Sequence, residues 1–192
     1  MTVQDSPDLD AYLANVQAAP ADGGRVELIV RRPAVDQREI LDEAVLGPDS
    51  GLVGDSWLAR GSRSTEDGSA DPDVQLTLIS VRVLEAFEPD RSRWPLAGDQ
   101  VYVDLDLSVD GLPAGTRLAI GTAVIEVSEQ PHTGCAKFSS RFGSDALRWI
   151  NSPIGRAHRM RGLNARVITG GTIRPGDEIR RVAREEWAPE AG

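Results

Sequence analysis

Short runs of branched apolar residues, separated by glycine-containing turns, recur from residue 74 to residue 182 and constrain the fold more than any other feature. Such runs are typical of β-strands, and the dipeptides between them are typical of tight turns. The predicted strands are 74–81, 101–107, 117–120, 123–127, 165–169 and 177–182. The turns are Asp110-Gly111, Gly121-Thr122, Gly170-Gly171 and Pro175-Gly176. This pattern predicts a mainly β fold with a few helices (α+β), built on a β-barrel or a strongly bent sheet.

The other segments predict elements attached to that sheet. A helical apolar spacing in the first twenty residues indicates a short helix, and 25–31 alternates as a strand does. The segment 39–46 fits a helix or a strand, and the polar segment 61–73 predicts a mobile loop. Two helical segments are expected after residue 135, the second over 144–150. We therefore expect one domain at 21–184, a helical extension at 1–20 and an acidic tail at 185–192.

Charge and composition restrict the class of protein. The 192 residues carry a formal net charge of −9, which disfavours general binding to nucleic acid or to an anionic membrane. No stretch is long and apolar enough to span a bilayer, and the first residues lack the pattern of a secretory signal. A single cysteine permits no internal disulfide, which fits a reducing compartment. We expect a cytoplasmic protein.

The single cysteine, Cys135, lies in a stretch that favours a reactive thiolate. His132 precedes it by three residues, Lys137 and Arg141 follow it, and a helix is predicted to begin nearby. Cations and helix N–H groups lower the pKa of a thiol, and the thiolate is the form that attacks electrophiles, carries sulfur or binds soft metals. The alternative is a small buried hydrophobic residue, which is how a lone cysteine commonly behaves.

Basic residues are concentrated around this cysteine although the chain as a whole is acidic. Between residues 131 and 166 there is one acid, Asp145, and the basic residues are Lys137, Arg141, Arg148, Arg156, Arg159, Arg161 and Arg166. Arginine binds phosphate and carboxylate through a planar fork of donors, so the concentration predicts an anion site. The alternative is a solvated basic helix face.

Several other chemistries are disfavoured. One cysteine and two histidines, His132 and His158, cannot complete a structural zinc site without carboxylates. The chain has neither a Gly-x-Ser-x-Gly elbow nor a standard phosphate-binding glycine loop. A Cys-His hydrolase remains open, although its catalytic partners are normally distant in sequence. The remaining hypothesis is a nucleophilic or metal-ligating cysteine beside an anion site.

A combination of short motifs lies between residue 98 and residue 164. They are Asp99-Gln100-Val101-Tyr102-Val103-Asp104-Leu105-Asp106-Leu107-Ser108, Leu112-Pro113-Ala114-Gly115-Thr116-Arg117-Leu118, Gly121-Thr122-Ala123-Val124-Ile125-Glu126-Val127, Pro131-His132-Thr133-Gly134-Cys135, Arg141-Phe142-Gly143 and Arg161-Gly162-Leu163-Asn164. With these residues the stretch strongly resembles the MOSC domain, the C-terminal module of molybdenum cofactor sulfurases. Gly51-Leu52-Val53-Gly54-Asp55 is a second landmark, and weaker similarity runs from about 26 to 182.

The resemblance implies a barrel-like, cytoplasmic bacterial protein of the stand-alone branch. The matching cysteine, Cys135, would carry sulfur as a persulfide or ligate the molybdenum of a pterin cofactor. His132, Asp55 and Asp106 are implied as further catalytic or orienting residues. The implied cofactor-binding residues are Lys137, Arg141, Arg156, Arg159, Arg161 and Asn164. A small-molecule ligand, and a cysteine desulfurase or a redox partner, are the implied partners.

Two departures from relatives are visible, and two rival functions stay open. Ser56-Trp57 follows Gly54-Asp55 where many relatives have a different polar pair, and Asp110-Gly111-Leu112 lacks the asparagine that is common there. The leading hypothesis is a stand-alone MOSC protein that is either a molybdenum-dependent oxidoreductase or a sulfurtransferase. The first rival is a non-enzymatic binding module for a phosphorylated or carboxylated metabolite, with a structural cysteine. The second is a metal-free, thiol-dependent transferase or hydrolase.

Overall fold

The computed structural model describes residues 9–183, which form a closed β-barrel with helices on its outer wall. The strands are β1 (Gly24–Arg31), β2 (Glu39–Leu41), β3 (Ala44–Gly47), β4 (Gly51–Leu52), β5 (Leu76–Ser80), β6 (Val101–Asp104), β7 (Arg117–Ile120), β8 (Ala123–Val127), β9 (Leu163–Thr169), β10 (Gly171–Ile173) and β11 (Glu178–Val182). The α-helices are α1 (Leu13–Gln17), α2 (Trp57–Arg60), α3 (Val81–Phe87), α4 (Ala136–Ile150) and α5 (Pro153–Ala157). Within residues 9–183, no helix is long and apolar enough to cross a membrane.

The barrel is closed by pairing between its first and last strands. Its order is β11-β7-β8-β9-β5-β6-β1, and β1 returns to β11 at Gly24 and Ile179. Every neighbouring pair is antiparallel except β5 and β6, which run parallel. β2 extends the wall beside β1, and β10, β3 and β4 form a separate three-stranded sheet. Closure leaves no free edge in the seven-stranded wall.

Strands of the wall are buried on both faces, which divides the core into two layers. In β6, Val101 and Val103 point into the barrel with Leu76 and Leu78, whereas Tyr102 lies in the outer layer. Successive side chains of a strand point to opposite faces, so one strand serves both layers. The outer layer joins the wall to α1, α3 and α4. This layer seats the start of α4, where the cysteine lies.

The predicted β-rich fold is confirmed, and most strands begin and end within two or three residues of their predicted bounds. The ambiguous segment 39–46 forms two strands, β2 and β3. The prediction missed α3, because its apolar residues continue the pattern of β5 across Val81. It also missed α5, whose Pro153 occupies the first helical turn behind the N-cap Ser152. The predicted tail at 185–192 and the first eight residues of the predicted extension lie outside the described residues.

Candidate functional site

Cys135 is held at the surface by the loop that leads into α4. It occupies the N-cap position of that helix and is exposed, so the structure does not bury it as a hydrophobic residue. The preceding Gly134 is clamped by Asn151, whose Oδ1 accepts from the Gly134 N–H at 3.1 Å and whose Nδ2 donates to the Gly134 carbonyl at 3.3 Å. A Cβ at Gly134 would lie 2.7 Å from Leu147. The glycine therefore allows the loop to lie close against α4.

The surroundings of Cys135 lower the pKa of its thiol. The thiol makes no capping hydrogen bond of standard geometry, yet the backbone N–H of Phe138 is the largest cause of the lowered pKa. Partial burial opposes it, and the N–H of Lys137 and the guanidiniums of Arg161 and Arg141 add smaller effects. The Lys137 side chain is 68% exposed and acts here through its backbone rather than its charge. The predicted thiolate is thus favoured chiefly by the start of a helix.

The thiol borders a cationic cavity of about 330 Å³, here called the thiol cavity. Its basic side chains are Arg32, Arg38, Arg60, Lys137, Arg141 and Arg161. Three carboxylates pair with four of these six cations. The pairs are Arg32–Asp55, Arg161–Asp99, Arg141–Asp36 and Lys137–Asp36. The cavity therefore retains positive charge on an acidic protein, which suits a bound anion.

Asp99, Arg161 and His132, whose side chains are 0%, 9% and 18% exposed, form a largely buried cluster behind the thiol. Arg161 Nη1 lies 2.9 and 2.7 Å from the two Asp99 oxygens, and its Nη2 donates to the Ala97 carbonyl at 3.0 Å. The guanidinium also lies over the Phe138 ring. His132 Nδ1 is 3.5 Å from Asp99 Oδ1, beyond an ordinary hydrogen bond, and has no hydrogen-bond partner among residues 9–183. These contacts fix the position of the Arg161 guanidinium, and the His132 imidazole lies beside the Asp99 carboxylate.

His132 is neutral at neutral pH. Burial is the main cause that lowers its pKa to about 4, Arg161 and Arg32 lower it further, and Asp99 opposes them. A role for His132 as an imidazolium proton donor at pH 7 therefore has no support from its surroundings, whereas a neutral imidazole can orient or accept a proton.

The low pKa of His132 predicts a specific loss of stability in acid. Between about pH 6.5 and pH 4, His132 is protonated in the unfolded chain but stays neutral in the folded chain. The free energy of unfolding therefore falls as the pH is lowered through this window. The full effect is about 3 kcal/mol. Urea unfolding at pH 7 and pH 4.5 should show a smaller acid loss for His132→Gln than for the wild type. The two proteins should keep a constant difference between pH 7.5 and 8.5, and equal acid losses would contradict the prediction.

A second, larger cavity of about 530 Å³ lies on the other side of the cluster, and we call it the apolar cavity. It shares His132 and Arg161 with the thiol cavity. Its apolar lining includes Val109, Pro113, Ala114, Pro131, Ile150 and Leu163. Arg156 and Arg159 also line it. Arg159 donates to the Leu112 carbonyl at 2.6 Å, whereas Arg156 forms no ion pair within residues 9–183. An aromatic ligand with an anionic end suits such a cavity.

The structure brings only some of the sequence-predicted residues to these cavities. Asp55 lines neither cavity; its fully buried carboxylate holds Arg32, which lines the thiol cavity. Asp106 accepts from the Ser108 N–H and hydroxyl in a turn, and Asn164 donates to the Gln130 carbonyl. Neither side chain lines the thiol cavity, because each forms its hydrogen bonds within or between loops elsewhere. Arg148 pairs with Asp145 and Arg166 with Glu126, outside both cavities.

The sequence of this chain matches the model of a known protein family. The model of the MOSC domain family matches residues 80–180, which is more than half of the chain. The chain belongs to the MOSC domain family. No curated protein matches its sequence at a significant level.

Solved structures of the same fold are distant in sequence from this MOSC protein. YuaD from Bacillus subtilis superposes with a TM-score of 0.61 at 17% identity, over 81% of this chain and 93% of that one. YiiM from Geobacillus stearothermophilus gives 0.56 at 18% identity, over 84% and 76%. YiiM from Escherichia coli gives 0.55 at 22% identity, over 83% and 70%. Identities this low show that the fold is shared and carry no information about the residues of the site.

Four charged residues of the candidate site were not predicted from the sequence: Arg32, Arg38, Arg60 and Asp99. The three arginines precede the cysteine by 75 or more positions, and only the folded chain brings them to the same cavity. The sequence signal was weak, namely basic residues within an acidic N-terminal half. Asp99 stands in the quoted stretch before β6, but only the structure shows that it is buried against Arg161.

Proposed function

We propose that this MOSC protein binds a molybdenum–pterin cofactor, with Cys135 as the protein ligand to the metal. The observation that carries the proposal is an exposed cysteine with a lowered pKa at the border of a cationic cavity. A thiolate is a suitable ligand for a thiophilic metal. No group of three or more His, Cys, Asp or Glu side chains in residues 9–183 is arranged to hold a metal ion. The remaining ligands would therefore come from the cofactor.

The residues around Cys135 fit such a group. Two buried polar atoms, His132 Nδ1 and Arg161 Nε, have no hydrogen-bond partner among the described residues, and both residues line both cavities. Buried polar atoms normally have partners, so these two suit a polar ligand at the shared wall. In the apolar cavity, the Arg156 guanidinium, which has no ion-pair partner among residues 9–183, could bind a phosphate, and Arg161 lines both cavities.

Each residue then has a chemical task. The bound cofactor would supply two-electron redox chemistry at the metal. Asp99 fixes the Arg161 guanidinium, which holds negative charge near the sulfur, and the neutral His132 can accept or pass on a proton. Asp55 is a positioning residue, because it holds Arg32 in the wall of the thiol cavity. We propose, on this basis, a molybdenum-dependent oxidoreductase, with its substrate bound from the thiol side.

Cys135→Ser tests metal ligation. Protein purified from a host that makes the cofactor should contain molybdenum and pterin, and the serine variant should lose most of the molybdenum. Its thermal unfolding should stay near that of the wild type, because substitution of an exposed residue rarely costs more than about 0.5 kcal/mol. Ser139→Ala, one turn into α4, is the matched control and should retain the metal. Equal molybdenum in Cys135→Ser and the wild type would refute ligation by this thiol.

Sulfur carriage is a second candidate, favoured by the exposure of the same thiol. A donor protein must reach the sulfur atom, and an exposed Cys135 permits this. The terminal sulfur of a desulfurase persulfide would bond to the Cys135 thiolate, and the desulfurase thiolate would leave. Intact-mass measurement after incubation with a cysteine desulfurase and cysteine should then show one added, reducible sulfur atom. Cys135→Ala should gain none, and an unchanged wild-type mass would count against the carrier role.

A further inference from the structure

Two arginines of the thiol cavity have no carboxylate partner. Among residues 9–183, Asp36, Asp55 and Asp99 account for the other four cations, and Arg38 and Arg60 appear in no ion pair. Arg38 donates from Nε to the Pro95 carbonyl and from Nη1 to the Gln37 carbonyl, so its Nη2 is left over. The Arg60 side chain makes no hydrogen bond among these residues. Guanidiniums without anionic partners at a cavity wall are the usual components of an oxyanion site.

The geometry around Gly98 directs Arg38 into the cavity. Gly98 is left-handed, with a φ of +90°, and a Cβ built on it would lie 3.6 Å from Arg38 Nη2 and 4.0 Å from Arg141 Nη1. The Gly98 carbonyl accepts from Arg32 Nη1 at 2.9 Å. Three guanidiniums therefore converge on one glycine at the cavity wall. Like charges repel at such a distance, and a bound anion would relieve that repulsion.

The electrostatics of Arg38 and Arg60 agree with this geometry. Partial burial is the main cause that lowers the pKa of each guanidinium. Arg141 and Arg32 lower that of Arg38 further, against smaller opposing effects of Tyr102 and Asp36. Arg32 lowers that of Arg60, against a smaller opposing effect of Asp55. Both groups nevertheless stay charged at neutral pH, because arginine titrates far above it. Partly desolvated cations without an ion-pair partner among residues 9–183 are costly, and an anion bound in the cavity that both line would offset that cost.

We propose that Arg38 and Arg60 form an oxyanion subsite beside Cys135, which takes a phosphate or carboxylate group of the ligand. Both arginines lie before residue 80 and so outside the part of the chain that matches the family model. The proposal rests on the proposed function in using the same cavity, but the binding of an oxyanion there does not require the metal.

Alkylation of Cys135 with a charged and a neutral reagent tests the subsite on metal-free protein. Iodoacetate and iodoacetamide react in the same way: the thiolate sulfur bonds to the methylene carbon and iodide leaves. The ratio of their rates cancels any difference in the pKa of the thiol. The carboxylate of iodoacetate can bind to the arginines, so we expect this ratio to exceed that of a neutral model thiol by on the order of 10-fold. The net charge of −9 alone would push the ratio the other way.

Two variants and one matched control decide the result. Arg38→Gln/Arg60→Gln should bring the ratio back to that of the model thiol, and Arg60→Gln alone should lower it without a cost in folding. Arg180→Gln, an exposed arginine outside both cavities, should leave it unchanged. Inorganic phosphate, at constant ionic strength, should slow iodoacetate more than iodoacetamide in the wild type only. A wild-type ratio equal to that of the model thiol, or a double variant that keeps the raised ratio, would overturn the proposal.

The pterin content of protein purified from a cofactor-producing host shows whether the oxyanion belongs to the cofactor or to the substrate. If the double variant loses bound pterin while Arg180→Gln keeps it, the oxyanion is the phosphate of the cofactor. If the double variant keeps its pterin and loses only the iodoacetate preference, the oxyanion belongs to the substrate. Failure of molybdenum binding in the wild type would leave the alkylation result intact, so the two proposals can fail separately.

Discussion

Arg161→Met is expected to lower the free energy of unfolding by about 3–5 kcal/mol, because it leaves a buried charge without its partner. The Asp99 side chain is fully buried, that of Arg161 is 9% exposed, and Nη1 of the arginine contacts both carboxylate oxygens. Methionine can replace the stem of the arginine but not its charge. The Ala97 carbonyl also loses its donor. Urea unfolding at pH 7 measures the loss.

Two further variants separate the buried pair from a general effect of charge. Arg180→Met removes an exposed pair with Glu178, with side chains 62% and 61% exposed, and should cost less than about 1 kcal/mol. Arg161→Met/Asp99→Asn removes both buried charges and should recover part of the stability, since a neutral amide is cheaper to bury than an unpaired carboxylate. An Arg161→Met loss no larger than that of Arg180→Met would show that the pair contributes little.

Asp55→Ala is expected to cost a similar amount, about 3–5 kcal/mol, for a related reason. The buried carboxylate accepts from the backbone N–H and Nε of Arg32 through Oδ2, and from Nη2 of Arg32 and the Trp57 N–H through Oδ1. Alanine would leave Arg32, 12% exposed, without its carboxylate and two backbone N–H groups without an acceptor. Thermal and urea unfolding should both report the loss.

Asp106→Ala is the matched control for that variant. Asp106 was paired with Asp55 in the sequence-based hypothesis, but among residues 9–183 its carboxylate accepts only from the N–H and hydroxyl of Ser108. Removal of such a local turn contact should cost about 1 kcal/mol. Equal costs for the two aspartates would contradict the distinction that the structure draws between a carboxylate that fixes an arginine of the site and one that fixes a turn.

Local features of this fold could be predicted from the sequence, and long-range ones could not. The hairpin of β7 and β8 was predicted to the residue, because Gly121-Thr122 separates two strands that pair directly across the turn. The break in α4 was predicted as well, and the structure places it at Gly143, whose φ is +91°. In contrast, α3 follows β5 without a turn residue, so periodicity alone did not separate them.

The candidate site divides in the same way. Cys135 and its helix N–H groups are close in sequence, so the expectation of a favoured thiolate needed only local information. The cluster of basic residues at 131–166 predicted an anion site but not which of those residues line it. Arg148, for example, is directed away from the cavities by its helix and pairs with Asp145. Arg38 and Arg60 belong to segments that approach Cys135 only in the folded barrel. No spacing along the chain encodes that proximity.

Closure of the barrel also determines the order in which the protein can assemble. β11 pairs with β1 on one side and with β7 on the other, so both strands keep unpaired backbone groups until the chain has been made as far as Val182. Until then the nascent barrel has two open edges, which are the sites where strands of other chains can add. Because Gly24 must meet Ile179, folding is governed by contacts of high sequence separation and should be slow for a chain of this size. The thiol, presented by α4 ahead of the closing strand, is therefore synthesised before the wall that supports its cavity is complete.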